Sequence, residues 1–248
     1  MSLVTLSLIV LGCFTGLTVL AVSAGFAAER ALRHKRIFAV PLAKGQVRFE
    51  LIGNAVFIVI ASVAFTAALR AEIVRVGPPS LARDAATFFA LLVGFQVFYW
   101  TLHRMMHTRP LLFLHRWHHR SRVTTPLSGQ SMSAGEAALW MLGYVGLPLM
   151  FSLVVPIGFR GWIGYIAFNA FGNIVGHANV EPTAERAATP AAALFANPFI
   201  YHALHHARWT VNYSFMARGM DRLFGTEAPD WPELYARVSA GEPLTRLR

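Results

Sequence analysis

The sequence has little charge for its length. Of its 248 residues only 14% are charged, whereas 55% are hydrophobic, and the mean hydropathy is +0.48. An ordinary soluble domain has about 25% charged residues. The composition therefore excludes a typical soluble domain and predicts a membrane protein, and the length suits one compact unit.

Cysteine is almost absent as well. The single cysteine, Cys13, lies within an apolar run, which rules out an internal disulfide and a thiolate metal site. Any bound metal would need nitrogen or oxygen ligands. The sequence also lacks G-x-G-x-x-G, the glycine pattern of dinucleotide binding. No cofactor-binding residues for a flavin or a nicotinamide are therefore predicted.

Acidic residues are outnumbered by basic ones, with 12 Asp and Glu against 22 Lys and Arg. The basic residues occur in short runs between apolar segments, such as "ERALRHKR" at Glu29–Arg36 and "HRSR" at His119–Arg122. Cytoplasmic loops of membrane proteins show this pattern. We therefore interpret the charge as a determinant of membrane orientation and predict no nucleic-acid partner.

Long uncharged segments predict the fold. About 20 apolar residues suffice to cross a bilayer. Residues 1–28 are longer and more uniformly apolar than the core of a cleaved signal peptide, which normally follows positive charge. The further segments are residues 51–69, 85–102, 137–159 and a shorter, more polar stretch at 161–176. The last two are expected to form a hairpin around Pro156–Gly161, so that the fifth need not cross fully.

These segments predict an all-α polytopic membrane bundle with a histidine-rich helical cap on the cytoplasmic side. We divide the chain into N-terminal spans (residues 1–84), a histidine-bearing region (85–226) and a C-terminal tail (227–248), and expect the C-terminal residues to fold over the histidines. The basic loop at 29–48 should be cytoplasmic. Counting spans from it places the N-terminus outside the cytoplasm and the histidines of the cap inside.

Eight of the ten histidines fall into three spaced boxes. His103 and His107 are four residues apart and therefore share one helix face. The pattern H-x-x-H-H then occurs twice, at His115, His118 and His119 and at His202, His205 and His206. In each triplet the third ring points about 100° further round a helix than the second, which suits a site with more than one ion. Imidazole binds zinc, iron, copper and nickel, so the ligand type alone does not name the metal.

Two histidines stand outside the boxes. His177 has no histidine three or four residues away, and its spacing alone leaves a ligand role and a structural role equally open. His34 lies in a basic loop and is expected to be interfacial or hydrogen-bonded. The span count places His177 on the same face as the boxes.

A resemblance to a known family is carried by the box residues and their surroundings. The segments are "YWTLHRMMH", "LHRWHH", "GHANVEP", "FIYHALHH", "NYSF" and "MDRLFGT", which cover residues 99–226 in this order. They resemble the fatty acid hydroxylase and sterol desaturase superfamily of integral membrane di-iron oxidases. Only seven residues, Thr108–Leu114, separate the first two boxes. That gap favours this branch over the acyl desaturases, in which the two boxes lie further apart.

The resemblance implies a ligand set and a role for several other residues. It implies that two iron ions are held by His103, His107, His115, His118, His119, His177, His202, His205 and His206. Zinc is expected to be able to replace iron in purified protein, and no catalytic residue beyond the ligands is predicted. Asp221 and Arg222 are interpreted as structural, and Tyr99, Trp100, Trp117 and Tyr201 as packing or interfacial residues. Glu181 is expected at the surface, with orientation of an imidazole as the alternative.

The function implied is O₂-dependent hydroxylation or desaturation of a membrane lipid, such as a fatty acyl chain or a sterol. Electrons are expected from a separate donor, ferredoxin or cytochrome b5-like, because the chain shows no room for a fused reductase. The alternative is a zinc-dependent membrane hydrolase or a metal-handling protein. A hydrolase would need a general base such as glutamate among the ligands, and the boxes contain none.

Overall fold

The computed structural model describes residues 1–247 and is built from α-helices. Within that range only isolated β-bridges occur, so the predicted all-α class is confirmed. The helices are α1 (Leu3–Ala31), α2 (Gln46–Arg70), α3 (Leu81–Met106), α4 (Leu112–His115), α5 (Ala134–Met141), α6 (Leu147–Val154), α7 (Phe159–Gly176), α8 (Phe199–Arg208), α9 (Gly219–Phe224) and α10 (Trp231–Ser239).

Four helical stretches are long and apolar enough to cross a membrane: α1, α2, α3 and the run Ala134–Val154. That run joins α5 to α6 through a π-helical turn at Leu142–Gly146. Serine side chains at Ser2, Ser80 and Ser133 accept a backbone N–H in the first turns of α1, α3 and α5, which satisfies groups that a helix leaves unpaired. The fifth predicted segment forms α7, which is not among the four membrane-length stretches.

Helix α7 packs between α1 and α3 at the centre of the bundle. The core around it is aromatic: the ring of Phe95 stacks on Tyr144 at 5.4 Å and meets the edge of Tyr165 at 5.6 Å. The outer faces instead carry exposed aliphatic side chains such as Leu8 and Val63. A large exposed apolar surface of this kind marks contact with a membrane.

The cap, which includes the loop after α1 and helices α8 and α10, lies at one end of the bundle. It has its own apolar core, which includes Phe38, Ile200 and Leu204. Helix α10 packs on α8, and the Tyr235 hydroxyl donates to the Thr183 carbonyl at 3.0 Å. The C-terminal residues therefore pack on the helix that carries the third box, as expected. The basic loop after α1 joins the same end, since the Ile37 N–H donates to the Asn179 carbonyl at 3.1 Å.

Candidate metal centre

The structure brings the nine predicted histidines together where the cap meets the bundle. They form two groups, in each of which one candidate ligand atom per residue lies within 4.8 Å of all the others. The five-histidine group is His103, His107, His115, His119 and His205, and the four-histidine group is His118, His177, His202 and His206. These rings come from α3, α4 and α8, from the residues directly after α3 and α7, and from a 3₁₀ turn at His118–Arg120.

Hydrogen bonds fix the proton on several rings of the five-histidine group. The Nδ1–H groups donate to oxygen: His103 to the Tyr213 carbonyl at 2.6 Å, His115 to Glu136 Oε1 at 2.7 Å and His205 to the Val211 carbonyl at 2.7 Å. A neutral imidazole carries one proton, so Nε2 of each of these rings presents a lone pair. Partners of this kind orient metal-binding imidazoles in proteins.

Those lone pairs face one another. Nε2 of His115 lies 3.0 Å from Nε2 of His103 and 3.1 Å from Nε2 of His119. Between His103 and His115 neither nitrogen has a proton to donate, so the contact is repulsive unless a cation lies between them. Two nitrogens about 2.1 Å from one ion and at right angles to each other would lie about 3.0 Å apart. The five-histidine group therefore fits a metal ion.

The four-histidine group contains buried nitrogen atoms that lack a hydrogen-bond partner. Nε2 of His177, His202 and His206 is buried and has no hydrogen-bond partner within residues 1–247. The Nδ1–H groups of His177 and His206 donate to the carbonyls of Asn173 at 2.5 Å and Ser121 at 2.9 Å. A buried polar atom without a partner costs about 1–3 kcal/mol, and a metal ion would satisfy all three. His177, which spacing left undecided, thus lies with this group, and its role as a ligand stays a prediction.

Burial keeps these rings in the neutral form that binds metals. Desolvation lowers the pKa of His118 to about 4. For His107 and His177, desolvation and then repulsion from His118 lower the pKa to about 3. The pKa values of His202 and His206 also lie well below the usual range, mainly because these rings are desolvated by burial. Proton competition for the candidate ligand nitrogens is therefore weak at neutral pH.

A glutamate at the centre was missed by the sequence reasoning. Glu136, in the first turn of α5, is fully buried, and its Oε1 accepts from Nδ1 of His115 at 2.7 Å. It borders an apolar segment and lies outside the boxes, so its only sequence signal was one charge at the end of a predicted span. Glu136 orients a candidate ligand from the bundle side.

The expectation that Glu181 lies at the surface is wrong. Its carboxylate is fully buried and accepts from the backbone N–H of Ile200 at 2.8 Å, in the first turn of α8, and of Thr183 at 3.0 Å. Burial raises the pKa of this carboxyl, while the hydrogen bonds lower it. A negative charge is stabilised at a helix N-terminus, so Glu181 helps to hold α8 in position. It makes no hydrogen bond to a ring of the two histidine groups.

The structural interpretation of Asp221 is confirmed. Its carboxylate accepts from Trp100 Nε1 at 2.9 Å, from the Tyr201 hydroxyl at 3.0 Å and from the Ser214 N–H at 2.7 Å. These bonds tie α3, α8 and α9 together around the centre. Arg222, beside it, donates to the Pro190 carbonyl at 2.8 Å. Trp100 and Tyr201 are buried, which agrees with their expected packing role.

An apolar groove of about 610 Å³ reaches the four-histidine group at His202. It runs between α3 and α7 under the segment that precedes α8. At its outer end Phe89 and Val93 of α3 are 63% and 68% exposed on the lipid-facing side of the bundle. The groove can therefore admit a hydrocarbon chain from the bilayer to the histidines.

Fold and site together define a polytopic membrane protein with paired histidine groups suited to metal. The family model for fatty acid hydroxylase matches residues 88–226, more than half of the chain. The chain belongs to the fatty acid hydroxylase family, and the resemblance drawn from the boxes is confirmed.

Curated relatives share this region. A very-long-chain aldehyde decarbonylase of Oryza sativa subsp. indica is 29% identical over 154 residues, which are 60% of this chain and 24% of the relative. One of Arabidopsis thaliana is 31% identical over 57% of this chain and 23% of its own length. A methylsterol monooxygenase of Aspergillus fumigatus is 32% identical over 52% of this chain and 42% of its own. The aligned region thus spans less than half of each relative, and no solved structure matches the chain.

Proposed function

We propose that this protein is an O₂-dependent di-iron oxidoreductase that hydroxylates or desaturates a C–H bond of a membrane lipid, such as a fatty acyl chain or a sterol. The observation that carries the proposal is the meeting of two all-histidine groups with an apolar groove that opens on the lipid-facing surface. Breaking an unactivated C–H bond needs a strong oxidant. Iron can produce one from O₂, whereas zinc is redox-inert.

Each histidine group would hold one iron ion, and the pair would activate O₂, which supplies the oxidising equivalents, with two further electrons from a separate donor. Ring orientation, substrate binding and the exclusion of water depend on the protein's own residues. The oxygen partners of His103, His115 and His205 hold those rings in one tautomer and one orientation. The apolar groove binds the hydrocarbon chain and keeps water from the reacting carbon. Glu181 and Asp221 hold α8 so that its three histidines reach both groups.

We further propose that the histidines lie on the cytoplasmic side and the N-terminus on the other. In support, the basic loop that follows α1 and the histidines are at the same end of the bundle, and basic loops favour the cytoplasm. Labelling of single cysteines, introduced after Cys13 is replaced, should modify a cysteine next to His34 only from the cytoplasmic side. External labelling near His34 or Thr210 would show that the orientation is inverted.

A separate electron donor, ferredoxin or cytochrome b5-like, is the proposed redox partner. Arg104, Arg109, Arg116 and Arg120 are exposed around the first two boxes, and within residues 1–247 none of them forms an ion pair. Next to this surface the partly exposed ring of Trp209 packs 4.7 Å from that of His119. An acidic carrier would be attracted to the arginines, and its electrons would have only a short distance to the five-histidine group.

The second candidate is a zinc-dependent membrane hydrolase or a metal-handling protein. The contact between Glu136 and His115 is the observation that favours it, since a hydrolase needs a carboxylate near its ion. However, the Glu136 oxygen in contact with the centre accepts from a ring nitrogen, as an orienting residue does. The apolar groove also offers little for a polar scissile bond.

Comparative lipid mass spectrometry tests the reaction class. Cells with the intact gene should contain a lipid that gains one oxygen or loses two hydrogens relative to cells without it. His118→Ala is the matched control, because it removes a candidate ligand and leaves the groove in place. Identical lipid profiles in the intact strain and the His118→Ala strain would overturn the proposal, and release of a hydrolysed head group would favour the second candidate.

A further inference from the structure

A second, smaller cavity lies on the bundle side of the metal centre. It has a volume of about 20 Å³ and is walled by α3, α5 and α7. His115 of the five-histidine group and His118 of the four-histidine group both line it. A cavity of this volume holds about one water-sized group, so it accommodates a single polar group next to both halves of the centre.

Two buried acceptors in this cavity lack a partner. Glu136 Oε2 and Asn169 Oδ1 belong to cavity-lining residues, are buried and accept no hydrogen bond within residues 1–247. The other atoms of the two side chains are engaged: Glu136 Oε1 with His115, and Asn169 Nδ2 with the Tyr165 carbonyl at 2.8 Å. Each unpaired acceptor costs about 1–3 kcal/mol. Together they call for a ligand that donates hydrogen bonds.

The cavity adjoins the apolar groove. Gln96, Phe215 and Met216 line both spaces and form the partition between them. Where these side chains move aside, a hydrocarbon chain that fills the groove would place one small group past this partition. That group would lie against His115 and His118, where the metal ions would be held.

We infer that the cavity is a subsite for the hydroxyl group of a lipid alcohol, which donates to Glu136 Oε2 or Asn169 Oδ1 while its hydrocarbon lies in the groove. This deepens the proposed function and rests on it, since the bound hydroxyl would fix the adjacent carbon beside the metals. A plain hydrocarbon end would leave both acceptors unpaired. A carboxylate would bring only further acceptors towards them.

Photo-crosslinking tests the subsite without relying on activity. The full chain in detergent, with and without iron, is labelled with a hexadecanol probe that carries a diazirine near its hydroxyl. Labelled peptides are mapped by mass spectrometry, and the expected cavity sites are Tyr99, Met132 and Trp140. Unlabelled 1-hexadecanol should suppress labelling at about tenfold lower concentration than hexadecane or hexadecanoate, since one well-formed buried hydrogen bond is worth about that factor.

A matched pair of variants tests whether labelling by the alcohol probe depends on an acceptor in the cavity. Asn169→Leu removes one of the two cavity acceptors and makes that part of the wall apolar, so labelling by the alcohol probe should weaken by up to about tenfold. Asn54→Leu is the control, because Asn54 also lies in a bundle helix, donates from Nδ2 to the carbonyl four residues earlier and has a buried, unpaired Oδ1, but lies outside the cavity. It should leave the labelling unchanged.

Equal suppression by the alcohol and the alkane, or labelling confined to groove residues, would overturn the subsite and leave water as the only occupant of the cavity. The competitor series on the unmodified chain is decisive even if Asn169→Leu fails to fold. Oxidation of a lipid without hydroxyl-dependent labelling would contradict the subsite alone. Hydroxyl-dependent labelling of a protein that oxidises no lipid would contradict the proposed function alone.

Discussion

The two histidine groups differ in what lies at their open sides. Four rings of the five-histidine group make Nε2–Nε2 contacts of 3.0–3.1 Å, and the group lies next to the partly exposed Trp209. The four-histidine group keeps three unpaired Nε2 atoms and meets the apolar groove at His202. One group therefore lies towards the partly exposed surface at Trp209, and the other towards the apolar groove.

The comparison also shows that the histidines of one sequence box do not all belong to the same histidine group. Each H-x-x-H-H triplet is divided between the groups: the second box gives His115 and His119 to one and His118 to the other. The third box gives His205 to the five-histidine group and His202 and His206 to the four-histidine group. The angular offset within a triplet thus lets three neighbouring histidines reach both groups.

The largest effect is expected from loss of a residue in the smaller group. His177→Ala should abolish turnover and lower the metal content towards one ion per chain, as His118→Ala would, because only three histidines would remain there. His107→Ala should do less harm, since it leaves four in the other group. Elemental analysis and a turnover assay measure both, and His34→Ala, in an exposed loop, is the control that should change neither. Two bound ions and near-normal turnover in His177→Ala would make His177 a structural residue.

A large loss of stability is expected at Asp221, which serves both groups by holding α3 and α8. Asp221→Ala would leave the buried donors of Trp100, Tyr201 and Ser214 without their acceptor, at about 1–3 kcal/mol each. A fall of several kcal/mol should appear as a lower Tm in detergent. Asp230→Ala, which removes a partly exposed ion pair with Arg208, should cost at most about 1 kcal/mol. Equal Tm values for the two variants would contradict the role of Asp221.

Glu136→Gln should act on one group only. The change weakens the acceptor for Nδ1 of His115, and loss of such a partner typically lowers metal affinity about 10–100-fold. Competition with a chelator should therefore remove the ion of the five-histidine group first, while the other ion is retained. Glu185→Gln, at an exposed position, should leave both affinities unchanged. Equal loss from both groups would show that Glu136 does not distinguish them.

The last comparison concerns how the stability of the metal-free protein depends on pH. Burial lowers the pKa of His118 to about 4 and that of His177 to about 3, whereas in the unfolded chain a histidine has a pKa of about 6.5. Between these values the unfolded state binds more protons than the folded state. Stability should therefore fall as the pH drops from about 6.5 to about 4. His118→Phe should flatten the slope, and an unchanged Tm over this range would contradict the buried neutral rings.

The helices and the gathering of the histidines were predictable from the sequence, because uncharged segments and box spacing report directly on spans and helix faces. The partition into two groups was not, since it depends on how α4 and α8 approach each other. The burial of Glu136 and of Glu181 was also not recognisable. A carboxylate at the edge of an apolar run looks the same whether it faces water or is buried against a ring or a helix end. The surface expectation for Glu181 failed for this reason.

The most direct test of the account is the metal requirement of the two groups. Protein purified from cells with a native iron supply is examined by elemental analysis and by single-turnover oxidation of its lipid substrate. Two ions per chain are expected, with activity that requires iron. Zinc in an overproduced sample would not decide the matter, because imidazole sites accept several metals. Full activity with zinc alone, or after stringent removal of iron, would contradict the di-iron account.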